Sequence, residues 1–566
     1  MICSLSDFPP LPESNHLPVC LTEGKVQYSA PMFTNVHIYT TALSSHPHIV
    51  ITNEMLHPSM SKEDGSKVFL PVSQTLWKKL QHTWYEKGFV PMLEVAAHPR
   101  ENQGFIVLEF VAKQMLAAIR FASTLHNVVP GYKKKVKEDL MVSQNPVYSS
   151  SNIRCLAWHP HCTRLAVAAS DDSIRVYLDN SQLTPLLKCR GQRFVSCLVW
   201  RPLCGSELAV GCEVGVLVWH VDPNSVITRP SASNTQLLTR RGHTHVSDLA
   251  WSPQGDLLVS GSARDQTMYV WAVGLDNAVP LKRVGGGGIS LVSWSPDSLK
   301  LFAATTNMVL CFRGTCYGSA RDQTMYVWAV GLDNAVPLKR VGGGGISLVS
   351  WSPDSLKLFA ATTNMVFRVW ETCQWNADRW ALTVGRVVSA VWSPCSSLVL
   401  FAVSLEPVIY SLMCSQTAGV FQEEDRRAAT PLIDLTPVEL DNGERVGGEV
   451  SSLAWDKKGR YLAVTFKQCD IIAVFMTSLG HTLHVSPCCF IKGVANESPA
   501  VISFQNNFND GANLTIGWSS GRVQYFPIIY SELESHDRSY GNITNYDLPN
   551  VSSYASPSAF HDYTLN

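Results

Sequence analysis

Short apolar runs alternate with polar positions from about residue 150 to about residue 530, and Gly, Pro, Asp or Ser interrupts each run. One phrase recurs: an apolar strand that ends in an aromatic residue, a turn, and a second apolar strand. Such alternation is typical of strands with one buried face. The aromatic residues that mark the phrase are Trp158, Trp200, Trp251, Trp294, Trp351, Trp392, Trp455 and Phe504.

The spacing of these markers predicts the architecture. Successive markers are 42, 51, 43, 57, 41, 63 and 49 residues apart. A period of about 40–45 residues with four short strands per unit indicates WD-repeat propeller blades. One blade cannot cover both of its faces, so blades pack side by side around a channel. We therefore predict a mainly β protein with a WD40-type β-propeller over residues 150–530.

One unit, GHTHVSDLAWSPQGDLLVSGSARDQTMYVW, carries a full blade motif. In WD repeats a His, a Ser or Thr, an Asp and a Trp hydrogen-bond to one another, and here these residues are His243, Ser260, Asp265 and Trp271. A buried polar network of this kind fixes the turns of a blade when all its members are satisfied. We predict a structural role for the four residues and not a catalytic one.

A duplication interrupts the series of blades. Residues 261–309 recur without change at 318–366, which is an offset of 57 positions, and residues 310–317 link the two copies. Because the repeat begins midway through one unit and ends midway through the next, it adds one whole, circularly permuted blade. We expect seven blades without the repeat and eight with it. The complete identity indicates either a very recent duplication or an atypical gene product.

Residues 1–149 form an extension that lacks the regular strand pattern of the propeller, and we predict helices near 73–87 and 104–128. The second helix carries an apolar seam that includes Val111 and Met115. This seam either docks onto the propeller or serves as a groove-binding or membrane-surface helix. The last unit of the propeller lacks an outer strand. We expect a strand of the extension to close the ring, with 48–52 and 24–30 as the two candidates.

Composition narrows the classes of function. The chain has 45 Lys and Arg against 46 Asp and Glu, a net charge of −1, which gives no global reason to bind nucleic acid or anionic membranes. We expect no transmembrane segment, no secretory signal and a reducing compartment for the sixteen scattered cysteines. Residues 531–566 are polar with few aliphatic side chains, and we predict a disordered tail.

Motifs of catalysis and cofactor binding are absent from the sequence. It contains no GxxxxGK[ST], HExxH or GxSxG. The pair His159 and His161 flanks a proline, which favours a turn over a metal site. The basic run at 133–137 resembles a nuclear-import signal, but acidic residues follow it at once, which favours a solvated linker. We therefore expect no enzyme, no cofactor and no metal.

The loop phrases between the strands carry a resemblance to a known family. They include CSLSDFPPLP at 3–12, GHTHVSDLAWSPQG at 242–255, VFRVWETCQWNADRW at 366–380 and GWSSGRVQYFPI at 517–528. With these phrases the chain resembles the aladin family of WD-repeat nucleoporins over most of residues 1–530. It departs from the family in the duplicated blade and in the tail.

This resemblance implies a non-enzymatic scaffold of the nuclear pore complex in the nuclear envelope, held there by a transmembrane nucleoporin. It also implies further nucleoporins as partners, a role in protein and mRNA transport, and a link to the mitotic spindle and its poles. The alternative is a soluble WD-repeat adaptor that presents substrates to a ubiquitin ligase or a signalling complex. We expect no direct nucleic-acid binding in either case.

Overall fold

A computed structural model describes most of the chain between residues 151 and 529 and parts of the extension before it. The described residues are 3–11, 17–20, 26–29, 41–56, 80, 92–93, 96–97, 110–117, 151–178, 183–222, 227–305, 325–329, 335–338, 346–414 and 428–529, without 266, 276, 283–287, 364, 481 and 495–496. The predicted tail, the basic run at 133–137 and most of both predicted helices lie outside these ranges.

The first half of the propeller consists of four antiparallel sheets of four strands, blades 1 to 4. Blade 1 contains β5 Ile153–Trp158, β6 Arg164–Ala169, β7 Ile174–Leu178 and β8 Leu186–Leu187. Blade 2 contains β9 Cys197–Trp200, β10 Glu207–Gly211, β11 Val216–His220 and β12 Thr235–Leu238. Blade 3 contains β13 Val246–Trp251, β14 Leu258–Ser262, β15 Thr267–Ala272 and β16 Asn277–Lys282. Blade 4 contains β17 Ile289–Trp294, β18 Lys300–Thr305, β19 Met325–Ala329 and β20 Ala335–Leu338.

The second half repeats this plan in blades 5 to 8. Blade 5 contains β21 Ile346–Trp351, β22 Lys357–Thr362, β23 Val366–Glu371 and β24 Asn376–Ala381. Blade 6 contains β25 Val387–Trp392, β26 Leu398–Val403, β27 Val408–Met413 and β28 Thr430–Asp434. Blade 7 contains β31 Val450–Trp455, β32 Tyr461–Phe466, β33 Ile471–Leu479 and β34 Leu483–Lys492. Blade 8 contains β35 Pro499–Phe504, β36 Gly511–Trp518 and β37 Arg522–Ile529.

Shorter elements accompany the blades. The extension contains β1 Cys3–Ser4, β2 Leu17–Cys20, β3 Val26–Ser29, β4 Ile49–Val50, a 3₁₀ turn Leu5–Asp7 and a helical turn Asn53–Leu56. Between blades 6 and 7 lies a hairpin of β29 Val438–Glu439 and β30 Arg445–Val446, and 3₁₀ turns occupy Ala232–Asn234 and Val273–Leu275. All eight aromatic markers fall at the last position of the first strand of a blade, so the predicted propeller is confirmed.

The ring is closed by apolar packing between every pair of neighbouring blades. Each of eight buried clusters joins one blade to the next in order, and one of them joins blade 8 back to blade 1 through Ile153, Val167 and Val523. The second strands of the blades are almost continuously buried, as in Leu398–Val403, because they have a neighbouring blade on both faces. The propeller therefore has no single hydrophobic core. It has one apolar cluster at each of the eight interfaces between neighbouring blades.

Blade 4 is the product of the duplication. Its first two strands lie in the first copy, and its last two, β19 and β20, lie in the second copy. The described part of the chain thus contains eight blades, and the extra one combines halves of the two copies in the usual strand order.

The ring's final blade is completed by the N-terminal extension. β4 pairs antiparallel with β37, with Val50 opposite Arg522 and Ile49 opposite Val523. Gly521 has a φ of +97°, and a Cβ there would lie 2.0 Å from the carbonyl oxygen of Ile51, so glycine permits the close approach of the two segments. β4 lies within the candidate segment 48–52, whereas the other candidate contributes β3, which pairs with β2 in a separate hairpin.

A second N-terminal contact lies on blades 6 and 7. β1 pairs in parallel with β28, and Leu5 is buried against both blades. The Phe8 ring stacks on Phe490 at a centroid distance of 4.4 Å and meets Phe475 edge-on at 4.9 Å. Val26 of β3 is also buried in the cluster that joins blades 7 and 8, so the described extension is packed onto the propeller at three places.

The helix at 110–117 packs with a different face from the predicted one. Ala112 and Leu116 are buried in a small cluster with Leu80 and Leu93. Val111 and Met115, which belong to the predicted seam, are 47% and 46% exposed, so at these two positions the seam is not docked onto the propeller and the alternative of a groove-binding or membrane-surface helix stays open. The buried face pairs a small side chain with a large one, so it carries a weaker apolar signal than the exposed seam.

Candidate functional site

Blade 3 brings the four predicted network residues together. His243, Ser260 and Trp271 are fully buried. The Ser260 hydroxyl lies 2.7 Å from Nε2 of His243 and accepts a hydrogen bond of 2.8 Å from Nε1 of Trp271. Nδ1 of His243 lies 3.5 Å from Oδ2 of Asp265. The residues thus link the loop before β13 to β14, β15 and the turn between them.

The histidine of this network is shielded from solvent, which suits the predicted structural role. Burial lowers the pKa of His243 below its ordinary value, and the nearby Asp265 carboxylate opposes that shift only in part. The ring also meets Tyr269 edge-on at a centroid distance of 4.7 Å. With no exposed face, the imidazole cannot reach a substrate, and its hydrogen bonds hold the surrounding loops in place.

The loops that the network holds form a groove of about 630 Å³ between blades 2 and 3. One wall is the turn of blade 2 with Glu213 and Val214. The floor and the second wall come from residues 239–245, and Arg264 from the turn of blade 3 completes the lining. A volume in this range is typical of sites for small ligands, which occupy about 300–1,000 Å³.

Three arginines dominate the charge of this groove. Arg240 lies over the ring of Trp271 at 5.3 Å from the centroid and donates from Nη1 to the carbonyl oxygen of Thr239 at 3.1 Å. Arg241 and Arg264 are exposed. Within the described residues no carboxylate lies within 4.0 Å of any of the three guanidinium groups. The blade network therefore supports the groove directly, since Trp271 holds Arg240 and Asp265 follows Arg264.

Glu213 and His245 form the remaining polar pair of the groove. Nε2 of His245 lies 3.4 Å from Oε1 of Glu213, while Nδ1 of the same ring is buried without a hydrogen-bond partner. Burial and the positive charge of Arg264 lower the pKa of His245. The groove thus presents arginines together with one carboxylate and a neutral imidazole.

The basic character continues on the same face toward blade 1. The backbone of Glu213 donates to the carbonyl oxygen of Arg193 and accepts from the amide of His245, so three loops lie side by side. Arg190 and Arg193 are exposed, as are Arg241 and Arg264. The nearby Asp171 and Asp172 already hold Lys188 and Arg154. These arginines therefore form an arc of unneutralised charge on a chain that is close to neutral overall.

The histidine pair considered for metal binding forms a turn, as predicted. His159 is buried, and its Nδ1 accepts from the amides of His161 at 3.0 Å and Cys162 at 2.9 Å. Its Nε2 lies 3.3 Å from the carbonyl oxygen of Cys204 in blade 2. Across the described ranges no group of three His, Cys, Asp or Glu side chains is arranged to hold a metal ion. The helices in those ranges are also too short or too polar to cross a membrane.

Sequence reasoning found the network but missed the groove. The signal that could have found it is the pair Arg240–Arg241 directly before the Gly-His motif. Arg264, however, comes from a turn more than twenty positions away, and Glu213 from the previous blade. These side chains come together only because blades 2 and 3 pack against each other.

The closed ring of four-stranded sheets and the blade network define a WD-repeat scaffold protein. The family described as Aladin seven-bladed propeller matches residues 136–315 and 313–529, and the chain belongs to this family. The two matched stretches meet at 313–315, inside the linker between the copies of the duplication. The family's seven blades and the eight seen here therefore differ by the inserted blade.

Individual proteins are similar to the chain to different extents. Aladin of Arabidopsis thaliana is 27% identical over 412 residues, which cover 70% of this chain and 80% of that protein. The small ribosomal subunit protein RACK1 of Schizosaccharomyces pombe is 32% identical over 132 residues, 23% of this chain and 39% of that protein. Among solved structures, the C-terminal WD40 domain of Sif2 is similar with 15% identity and a TM-score of 0.47, over 66% of this chain and 95% of that chain.

Proposed function

We propose that this protein is a non-enzymatic scaffold of the nuclear pore complex that supports nucleocytoplasmic transport of protein and mRNA. Membership of the aladin family carries this proposal, because the match runs through the blades on both sides of the insertion. A rigid ring with loop-built faces suits a protein that holds several partners at once. A further role at the mitotic spindle is part of the same proposal.

The contact with a transmembrane nucleoporin is proposed for the helix at 110–117. Phe110 is 62% exposed and, with Val111 and Met115, gives this helix an apolar outer face beside the buried Ala112 and Leu116. Contiguous exposed apolar side chains on a soluble protein mark surfaces for partners. A helix that presents them in adjacent turns fits a groove or a membrane-proximal helix of the tether.

The test is the location of the full chain in living cells. We expect a fluorescent fusion to outline the nuclear envelope and to co-purify with pore membrane proteins. The double variant Phe110→Asp, Met115→Asp should lose the rim signal and the co-purification while its thermal unfolding stays unchanged, because both side chains are exposed. Arg386→Glu, an exposed change in the loop before blade 6, is the matched control and should keep both.

Two results would count against the proposal. A diffuse cytosolic signal with co-purified ubiquitin-ligase subunits would favour the adaptor alternative. Rim staining that persists in the helix variant would retain the pore role and move the tether contact elsewhere on the molecule.

A further inference from the structure

The strongest unassigned feature of the described surface is the basic groove between blades 2 and 3. It holds Arg240, Arg241 and Arg264, and no carboxylate of the described residues neutralises them. We infer that this groove is a docking site for an acidic segment of a protein partner, with Asp or Glu side chains paired to the arginines. The inference deepens the proposed scaffold function, on which it rests, by naming the class of partner and the place where it binds.

The geometry of the arginines suits carboxylates. A guanidinium group offers a planar fork of donors that pairs with both oxygens of a carboxylate. Arg240 is held in advance by the Trp271 ring, so it loses little side-chain freedom when a ligand binds. Arg241 lies in the loop before β13 and Arg264 in the turn after β14, and both line the same groove as Arg240, so one acidic stretch in the groove can contact all three.

The rest of the lining favours a peptide over a nucleic acid. Glu213 stands in the groove with a partly exposed carboxylate, which can accept the backbone N–H of a peptide, a donor that the backbone of a nucleic acid lacks. Thr239 and Thr244 add hydroxyl groups that donate or accept. Single-stranded nucleic acid is held by aromatic platforms for its bases, and no Phe, Tyr or Trp is among the residues lining this groove.

The arc beside the groove extends the same complementarity. Arg190 and Arg193 lie on the adjoining loop, which is hydrogen-bonded through its backbone to the Glu213 turn. A segment longer than the groove can therefore continue over blade 1 and meet further positive charge. Charges of this kind also accelerate encounter with an acidic partner, and the gain falls with rising salt.

The test measures binding of a fluorescein-labelled hexaglutamate peptide to the purified full chain by anisotropy. We expect saturable binding that weakens with salt, and a loss of affinity of about tenfold or more in Arg241→Glu, Arg264→Glu, since two charge-assisted contacts are reversed. The control Arg379→Glu, Arg386→Glu carries the same change of charge on exposed positions of blades 5 and 6 and should bind as the unmodified protein does. Arg241→Gln, Arg264→Gln provides a milder variant with the same expected direction.

Three results would overturn the inference. Equal loss in the control pair would show that net charge and not the groove attracts the peptide. Undiminished binding in the groove variants would place the site elsewhere. Tighter binding of a single-stranded RNA of equal charge, lost in the same variants, would identify a nucleic-acid site. Because the assay uses purified protein, each of these results leaves the location at the nuclear envelope untouched.

Discussion

At the scale of single residues, blades 2 and 3 show two ways of holding a buried tryptophan. In blade 3, Ser260 stands between His243 and Trp271. In blade 2, Gln192 follows Gly191 as His243 follows Gly242, and its Oε1 accepts directly from Nε1 of Trp219 at 3.0 Å. The same loop position thus holds an uncharged glutamine in blade 2 and a titratable histidine in blade 3.

This difference predicts an effect of pH on stability. Burial lowers the pKa of His243 below its usual 6.5, so the unfolded chain takes up a proton more readily than the folded chain. The free energy of unfolding should therefore fall as the pH drops below about 6.5, and the loss should be complete below the folded pKa. His243→Gln should lack this part of the pH dependence.

Urea unfolding of both proteins at about pH 7.5 and about pH 5.5 measures the effect. Asp265 and Tyr269 face the same ring and are unchanged in the variant, so the comparison isolates the histidine. An equal fall in both proteins would show that other buried groups, such as His159, account for the acid sensitivity.

At the scale of elements, the duplication places identical strands in two environments. Between blades 3 and 4, Nε1 of Trp294 donates to the carbonyl oxygen of Ala250 at 3.1 Å, and the Ser247 hydroxyl donates to the carbonyl oxygen of Ile289 at 2.6 Å. Asp248 accepts from the amide of Val292 at 2.9 Å. Three other pairs of neighbouring blades have the same contact, in which Trp200, Trp251 and Trp392 each donate to a carbonyl oxygen of the preceding blade.

Between blades 4 and 5 these links are missing. Nε1 of Trp351 is buried without a hydrogen-bond partner. Ser290 donates within its own blade, and Leu291 takes the register position that Asp248 has in blade 3. Val349 is only partly buried, while its copy Val292 is 5% exposed. The first two strands of blade 5 are identical in sequence to those of blade 4, which pack well against blade 3. In blade 5 the same strands pack against blade 4 instead.

One glycine shows why the fit fails. A Cβ on Gly261 would lie 2.8 Å from Cγ2 of Ile289 and 3.0 Å from Cγ1 of Val292, so blade 3 leaves this space open for blade 4. Ala304 has the corresponding register position in blade 4, where its methyl group faces the copied residues of blade 5. A well-packed core registers a change of one methyl group.

The two copies allow a matched test with one substitution. Trp294→Phe removes a donor that is satisfied, whereas Trp351→Phe removes one that is buried without a partner. Both rings are similarly buried, so the loss of apolar area is alike. We expect Trp294→Phe to lower the free energy of unfolding by about 1 kcal/mol more than Trp351→Phe. Urea denaturation of the two variants measures this, and an equal or reversed cost would contradict it.

The elements were predictable from sequence to different degrees. Period and alternation located the first strand of every blade, because Trp or Phe ends each of them. The buried face of the 110–117 helix was not predictable. The small side chain of Ala112 is compatible with a buried or an exposed position, so it does not mark the buried face. The groove was not predictable either, because Glu213 and Arg264 become neighbours only when two blades dock.

At the scale of the whole molecule, the ring accommodates an extra blade with fewer polar links between blades 4 and 5 than between blades 3 and 4. One polar contact still joins blades 4 and 5 there, from the amide of Asp297 to the Ser355 hydroxyl at 2.9 Å. Their apolar cluster contains Phe302 and Trp351 but lacks the three polar links seen between blades 3 and 4. This interface is where we expect the ring to open first on unfolding.

Removing the insertion should therefore increase the free energy of unfolding of the protein. Deleting residues 261–317 joins Ser260 to Gly318 and brings blade 5 against blade 3, which recreates the present interface between blades 3 and 4 from identical residues. We expect a rise in the free energy of unfolding of about 2 kcal/mol from the recovered hydrogen bonds. The urea midpoint, with small-angle scattering to show a smaller closed ring, tests this. A lower midpoint would show that the remaining interfaces are adapted to eight blades.

The pairing of β4 with β37 also determines when the ring can close during synthesis. Val50 leaves the ribosome early but finds its partner only when Arg522 has emerged. At about 5–20 residues per second, the interval between the two is on the order of half a minute to a minute and a half. For that time Ile49 and Val50 lack the strand with which they pair, so the nascent chain exposes apolar surface that is prone to aggregation.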